Sequence, residues 1–245
     1  MNGNGFHLRK IKLLKHLPKA LNRLTKIKRH RHHPLLHKLH KKHGISRKTL
    51  LYIKEYGPHS HVARVIIKES LKVLLLASIL SAFGGFALEE IKTLFISIIP
   101  LVILLPALND MIGDYGTIVS SRLSTMLHEG IVGKKWWQTP ELKELFVQIA
   151  VVSMITAALS AVIAMIIPVF TSGYDIAFGN AVKIFVITII DVAVLVSLLF
   201  FTSIYAGLRI YKKKEDPNNF LIPITTSIAD FGNMAVLALL VMLFF

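Results

Sequence analysis

Cysteine is absent from this 245-residue chain. Its absence excludes disulfide bonds, thiolate metal sites and cysteine nucleophiles. The sequence also lacks the Gly-x-x-x-x-Gly-Lys-Ser/Thr motif that cradles phosphates, and its apolar part has no His-Glu-x-x-His motif. We therefore expect no enzymatic activity, no organic cofactor and no ATP-driven step within this chain.

Acidic residues are almost missing from the first quarter of the sequence. Residues 1–60 hold sixteen of the 29 Lys and Arg residues but a single acid, Glu55. The remaining residues hold thirteen basic and thirteen acidic side chains, so the net charge of +15 belongs to the first sixty. The sequence thus predicts two parts, a basic His-rich tail at 1–64 and a membrane domain at 65–245.

The tail is expected to be partly an amphipathic helix and partly disordered. Leucines between Leu13 and Leu24 recur at roughly helical spacing among basic residues, a pattern typical of helices that lie on anionic lipid. Ten of the eleven histidines lie in the first 61 residues. They favour a loose metal buffer or a lipid-facing segment, with a specific metal site as the alternative. Nucleic-acid binding rests on charge alone, and lipid explains the same charge more simply.

Long apolar runs dominate the rest of the chain, whose mean hydropathy is +0.59. Runs of about 20 apolar residues span the hydrocarbon core as helices, because the backbone has no water to bond there. We predict an all-α integral protein, multi-pass in the cell membrane. Its five transmembrane helices are expected near 66–88, 92–127, 141–168, 180–210 and 219–244.

Basic residues set the expected orientation. With a cytoplasmic N-terminus, the loops at 128–140 and 209–218 lie inside, and both are rich in Lys and Arg. The outer segments near 88–92 and 170–180 carry three acids and only Lys92. Every connection then obeys the positive-inside rule.

One acid lies deep in the last predicted helix. Asp230 is about a dozen residues into that helix, which has no basic residue to pair with it. Thr226 and Asn233 lie about one turn to either side, and together these oxygens suit a hard cation. The alternative is a protonated Asp230 that hydrogen-bonds a neighbouring helix.

A second polar cluster occupies the latter half of the second predicted helix. Pro100 and Pro106 mark an expected bend, and Gly113 and Gly116 allow close backbone approach. The candidate cation-contacting side chains are Asn109, Asp110, Asp114 and Thr117. The alternative is a solvated cytoplasmic extension of the helix. Asp191, in the fourth helix, is a weaker candidate for the same path.

These two segments resemble the membrane domain of MgtE-type magnesium channels and their eukaryotic solute-carrier relatives. The first motif reads Pro106, then 113–117 as Gly-Asp-Tyr-Gly-Thr, then Arg122 within the 122–125 stretch Arg-Leu-Ser-Thr. The second reads 216–217 as Asp-Pro, then Pro223, Thr225-Thr226, Asp230 and Gly232. The resemblance covers about 65–245, the size of one five-helix repeat.

The resemblance implies a divalent cation pathway, with Mg²⁺ as the transported ion, at the two-fold axis of a homodimer. It implies that Asp230 is the main pore carboxylate. Asp114 departs from the family pattern, which has Asn there, and the acidic cytoplasmic sensing domains of the bacterial members are missing. The resemblance therefore implies neither the family's ion selectivity nor its gating for this chain.

Three alternatives stay open at this point. The chain could transport a softer metal such as Zn²⁺ or Co²⁺, with the His-rich tail as acceptor. It could be a proton-coupled exporter, since membrane carboxylates carry protons as well as cations. It could also be a non-transporting scaffold whose tail binds lipid or nucleic acid.

Overall fold

The structure, a computed structural model, describes residues 40–42, 44, 50, 62–133, 135–213 and 215–245. Within these ranges the chain forms no strand, and its long helices are α1 (Val62–Ser97), α2 (Ile99–His128), α3 (Pro140–Ser172), α4 (Phe178–Lys212) and α5 (Pro217–Phe244). A short 3-10 helix, Trp136–Gln138, precedes α3. The all-α, five-helix prediction is confirmed. The amphipathic helix expected in the tail and the His-rich stretch at 30–37 lie outside the described residues.

Two of the predicted helix starts are found at the expected residues. Pro140 is the first residue of α3, where its missing N–H has no helical partner to lose, and Thr139 precedes it in an extended conformation. Asp216 caps α5, and its side chain accepts a hydrogen bond of 3.0 Å from the Asn218 N–H. These local signals therefore determine where α3 and α5 begin.

The predicted connection at 88–92 is wrong. Helix α1 continues through it to Ser97, and the break lies at Ile98. Glu89, Glu90 and Lys92 are good helix formers, and Lys92 pairs with Glu89 one turn away. The break falls just before Pro100, which lies in the first turn of α2, where a proline loses no helical hydrogen bond.

All five helices are long and apolar enough to cross a membrane. They differ in how far the rest of the protein covers them. Of an apolar stretch of 18 residues in each helix, 50% is buried inside the protein in α4, against 6% in α1. Helix α5 packs against α1, α2 and α4, whereas α1 barely contacts its chain neighbour α2. Helices α4 and α5 are therefore central, and α1 lies on the outside against α5.

Glycines allow the helices to approach α5 closely. A Cβ on Gly84 of α1 would lie 2.7 Å from the Met234 sulfur, and one on Gly116 of α2 would lie 3.0 Å from the Thr225 Cβ. Close approach of this kind is a common basis of helix packing in membranes. It brings polar groups on α1 and α2 within reach of α5.

Candidate cation pathway

Asp230 accepts hydrogen bonds from two other helices. The Asn109 side chain on α2 donates to Oδ1 at 2.7 Å, and the Ser81 hydroxyl on α1 donates to Oδ2 at 3.0 Å. Asp230 is the fourteenth of the 28 residues of α5, so it lies about 20 Å from the helix start. A half-buried carboxylate is therefore held at mid-depth by two neutral donors.

Asn233 extends this arrangement along α5. Its side-chain amide donates to the Asn109 Oδ1 at 2.9 Å and lies 3.4 Å from the Leu105 carbonyl. Asn233 is fully buried. Asn109 is thus fixed between Asn233 and Asp230, which orients its amide towards the carboxylate. We refer to Ser81, Asn109, Asp230 and Asn233 as the Asp230 network.

Asp110 and Asp114 do not join the Asp230 network. They are one turn apart on α2, Thr117 follows at helical spacing, and the three form a polar stripe along one side of the helix. Both carboxylates are exposed and Thr117 is partly exposed. The single chain therefore turns these oxygens outwards, next to the network that contains Asn109.

Thr226 does not hydrogen-bond Asp230. Its hydroxyl lies 3.0 Å from the Ile222 carbonyl and 3.2 Å from that of Pro223, both in its own helix. A hydroxyl that donates to backbone keeps its lone pairs, so Thr226 retains an acceptor for a cation. Of the two predicted packing glycines, Gly116 is in close contact with Thr225, whereas Gly113 borders open space.

Within the described residues, no metal site is complete in one chain. Among the described residues, no three His, Asp or Glu side chains come together closely enough to hold an ion. Asp230 with amide and hydroxyl neighbours supplies one charge and several neutral oxygens. A cation bound at Asp230 would take its remaining ligands from water or from a second copy of the chain.

Asp191 lies apart from these groups. It is fully buried in α4, and neither of its carboxyl oxygens has a hydrogen-bond partner within the part of the chain that the structure describes. Sequence reasoning placed it as a weak candidate for the cation path. The structure brings it into no hydrogen bond with the Asp230 network.

A further polar cluster joins the end of α2 to the start of α5. Asp216 lies 3.5 Å from the His128 Nε2 and accepts a hydrogen bond of 3.4 Å from the Ser124 hydroxyl. Burial alone would raise the pKa of Asp216, but the His128 contact and the Asn218 N–H outweigh it and lower the pKa below its usual value. The cluster therefore contains an ionised carboxylate that ties two helix ends together.

Sequence reasoning missed Ser81 and His128. Ser81 was one small polar residue in an apolar helix, three positions before the glycine pair at 84–85. That combination marks a close helix contact in membranes and could have indicated a polar contact as well. The partnership of His128 with Asp216 joins residues 88 positions apart, and no local pattern reports it.

The family model MgtE, described as divalent cation transporter, matches residues 105–240. This range contains α3, α4, nearly all of α5 and the part of α2 that carries Asn109, Asp110 and Asp114. No curated protein and no solved structure matches the chain.

Proposed function

Because this chain belongs to the MgtE family of divalent cation transporters, we propose that it lets Mg²⁺ cross the membrane passively between two copies of its five-helix domain. The observation that carries the proposal is the polar stripe on α2. Asp110 and Asp114 are exposed near the middle of a membrane-spanning helix, beside the network that holds Asp230.

Lipid is an unfavourable neighbour for that stripe. A carboxylate at the bilayer centre costs about 2.5–3.5 kcal/mol even on insertion scales. Two such groups one turn apart favour a water-filled path or a second protein surface over hydrocarbon. A homodimer meets both needs, because a two-fold axis beside α2 sets the stripe of one copy opposite that of the other.

The chemistry of the side chains favours a hard cation. Carboxylate, amide and hydroxyl oxygens are the ligands that Mg²⁺ takes, and Mg²⁺ keeps much of its water. The chain has no cysteine, and His128, at the end of α2, is the one histidine in the spanning helices that the structure describes. Zn²⁺ or Co²⁺, which prefer nitrogen and sulfur ligands, is therefore the second candidate.

The two groups of acids have different roles in this proposal. An ionised carboxylate offers about four lone-pair sites, and two of those on Asp230 are used by Ser81 and Asn109. The others remain for a partly hydrated ion. Asp110 and Asp114 raise the local cation concentration, Thr117 and Thr226 line the path, and the buried Asn233 holds Asn109 beside it. A negative-inside potential of 100 mV favours entry of each positive charge by about 2.3 kcal/mol.

We place the protein in the cell membrane, with residues 1–64 on the cytoplasmic side. The high positive charge of these residues suits the anionic inner leaflet, where each Lys or Arg near the surface contributes about 1 kcal/mol. Anionic lipid is therefore the proposed partner of the tail.

Flux measurement tests the proposal. The purified protein in liposomes that contain a Mg²⁺-sensitive dye is expected to take up Mg²⁺ under an inside-negative potential. Asp230→Asn, which keeps the shape but removes the charge, is expected to lower the rate at least about tenfold, equivalent to about 1.4 kcal/mol. The matched control is Asp175→Asn, the same change in an exposed connection residue, which is expected to keep the wild-type rate.

Three results would contradict the proposal. Absence of flux from folded wild-type protein would favour the scaffold. Flux that persists at the wild-type rate in folded Asp230→Asn would remove Asp230 from the path. Competition by Zn²⁺ or Co²⁺ at lower concentration than Mg²⁺ would identify a softer metal as the cargo.

A further inference from the structure

Asp191 is a buried acid without a visible counterpart. It is 0% exposed on α4, the helix that the protein covers most, and both of its oxygens lack a partner within the described residues. An ionised carboxylate in such surroundings has lost its hydrating water, and no hydrogen bond or ion pair compensates for that loss. It is therefore stable only with a bound cation or as the neutral acid.

Among the described residues, no basic side chain hydrogen-bonds or pairs with Asp191. The nearest along its own helix is Lys183, two turns earlier, whose Nζ lies 4.8 Å from the Phe245 ring. Three helices pack against α4. In α3 the ionisable groups lie in the first two turns, in α5 there is Asp230 alone, and in α2 they are Asp110, Asp114, Tyr115, Arg122 and His128. None of these hydrogen-bonds Asp191.

A metal ion does not account for Asp191 either. No cluster of three acidic or histidine side chains surrounds it in the described part of the chain. A lone carboxyl suffices to hold one proton, whereas a divalent ion needs several oxygens. The neutral acid is the form that this environment favours.

We propose that Asp191 is a proton-binding site whose occupancy opposes that of the cation site at Asp230. The opposition rests on the proposed function, since it requires a cation at Asp230. The proton site itself stands on the burial and isolation of Asp191.

The packing of α4 on α5 sets the distance over which the two sites interact. Gly207 lies against Leu221, and Leu195 lies against Gly232, so the helices run antiparallel. Asp191 is one turn before Leu195, and Asp230 is two residues before Gly232. With a rise of 1.5 Å per residue and a spacing of 8–10 Å between axes, the positions of Asp191 and Asp230 along the two helix axes are roughly 12 Å apart.

At that separation, a divalent cation at Asp230 favours the ionised form of Asp191. The balanced step is the loss of one proton from the Asp191 carboxyl to water, which leaves a carboxylate on α4 as the cation binds. By linkage, protonation of Asp191 weakens cation binding by the same factor. An interaction across roughly 12 Å with an effective dielectric constant of 20–40 gives a factor of about ten or more.

Infrared spectroscopy tests the proton site without any transport. The purified wild-type protein at neutral pH is expected to show the carbonyl stretch of a protonated carboxylic acid, and Asp191→Asn is expected to lack it. Should Asp191→Asn not fold, Asp191→Glu keeps the acid and is expected to shift the band. A wild-type spectrum without the band, or a band unchanged in the variants, would overturn the proposal.

Transport as a function of pH tests the opposition. Acidification from an alkaline pH at which Asp191 has lost its proton is expected to raise the Mg²⁺ concentration for half-maximal uptake by the wild type about tenfold. Asp191→Asn, which resembles the protonated acid, is expected to give the raised value at every pH. Asp175→Asn is expected to follow the wild type. A pH dependence retained in folded Asp191→Asn would refute the opposition, whereas absence of wild-type flux would refute the proposed function and leave the infrared result standing.

Discussion

Two acids lie deep in the helices of this protein, and their surroundings are opposite. Asp230 is half-buried and accepts hydrogen bonds from Ser81 at 3.0 Å and Asn109 at 2.7 Å. Asp191 is fully buried and has no partner among the described residues. Hydrogen-bond donors therefore contact one carboxyl group, whereas the other is buried without any among the described residues.

The difference shows how environment assigns roles to identical side chains. Donors aimed at a carboxylate stabilise its ionised form, which attracts a cation. Burial without donors stabilises the neutral form, which holds a proton. We therefore propose that the same residue type serves as a cation ligand on α5 and as a proton site on α4.

The largest expected effect is a stability difference of opposite sign between two leucine variants. Asp230→Leu leaves Ser81 and Asn109 without their acceptor and is expected to destabilise the protein by about 2–4 kcal/mol. Asp191→Leu replaces an unpartnered polar group by an apolar one of similar size and is expected to stabilise it by about 1–3 kcal/mol. Equilibrium unfolding in mixed detergent gives both values.

The same measurement can break the comparison. If Asp191→Leu destabilises the protein as much as Asp230→Leu does, Asp191 has a partner that the isolated chain lacks, and its isolation is not a property of the native protein. Thr188→Val, one turn away in α4, is the control for a change of buried polarity, because its hydroxyl bonds its own helix.

Charge on the exposed stripe of α2 is expected to affect flux rather than stability. Asp110→Asn together with Asp114→Asn is expected to lower Mg²⁺ uptake about tenfold, because two charges near the path are removed. Glu89→Gln with Glu90→Gln removes two exposed charges from α1 and is the matched control. An equal loss of flux in both double variants would mean that overall charge, and not the stripe, governs entry.

The smallest expected effect concerns Asp216, outside the membrane-spanning helices. Its folded-state pKa lies below the usual value, so its contribution is full above pH 4 and is lost as the pH falls through the folded pKa. Asp216→Ala is therefore expected to cost about 1 kcal/mol at pH 7 and progressively less below pH 4. Thermal unfolding at pH 7 and pH 3 measures this, and a penalty that stays constant would mean that the charge of Asp216 is not involved.

Local sequence signals predicted much of the fold. Five apolar runs gave five helices, and Thr139-Pro140 and Asp216-Pro217 placed two helix starts correctly. The signal failed at 88–92, where charged residues suggested a loop although they are good helix formers. In lipid, charge near a helix end marks the membrane boundary and not the end of the helix.

The candidate site was predictable only along each helix. Spacing put Asn233 and Thr226 beside Asp230, and the family resemblance singled out Asp230 and Asp114. Spacing does not report which helices touch, so the pairing of Ser81 with Asp230, 149 residues away, could not be predicted. The lack of a hydrogen-bond partner for Asp191 among the described residues could not be predicted either, because it depends on how the helices pack.

The most direct test of the pathway exploits the natural absence of cysteine. Thr117→Cys adds one thiol to the stripe beside Asp114, and Ile118→Cys adds one to the neighbouring face of α2, where Ile118 is 43% exposed. Reaction with a membrane-impermeant thiol reagent in liposomes is expected for Thr117→Cys, slowed by Mg²⁺, and not for Ile118→Cys. Reaction at position 118 without reaction at 117 would put lipid against the stripe and contradict the cation pathway.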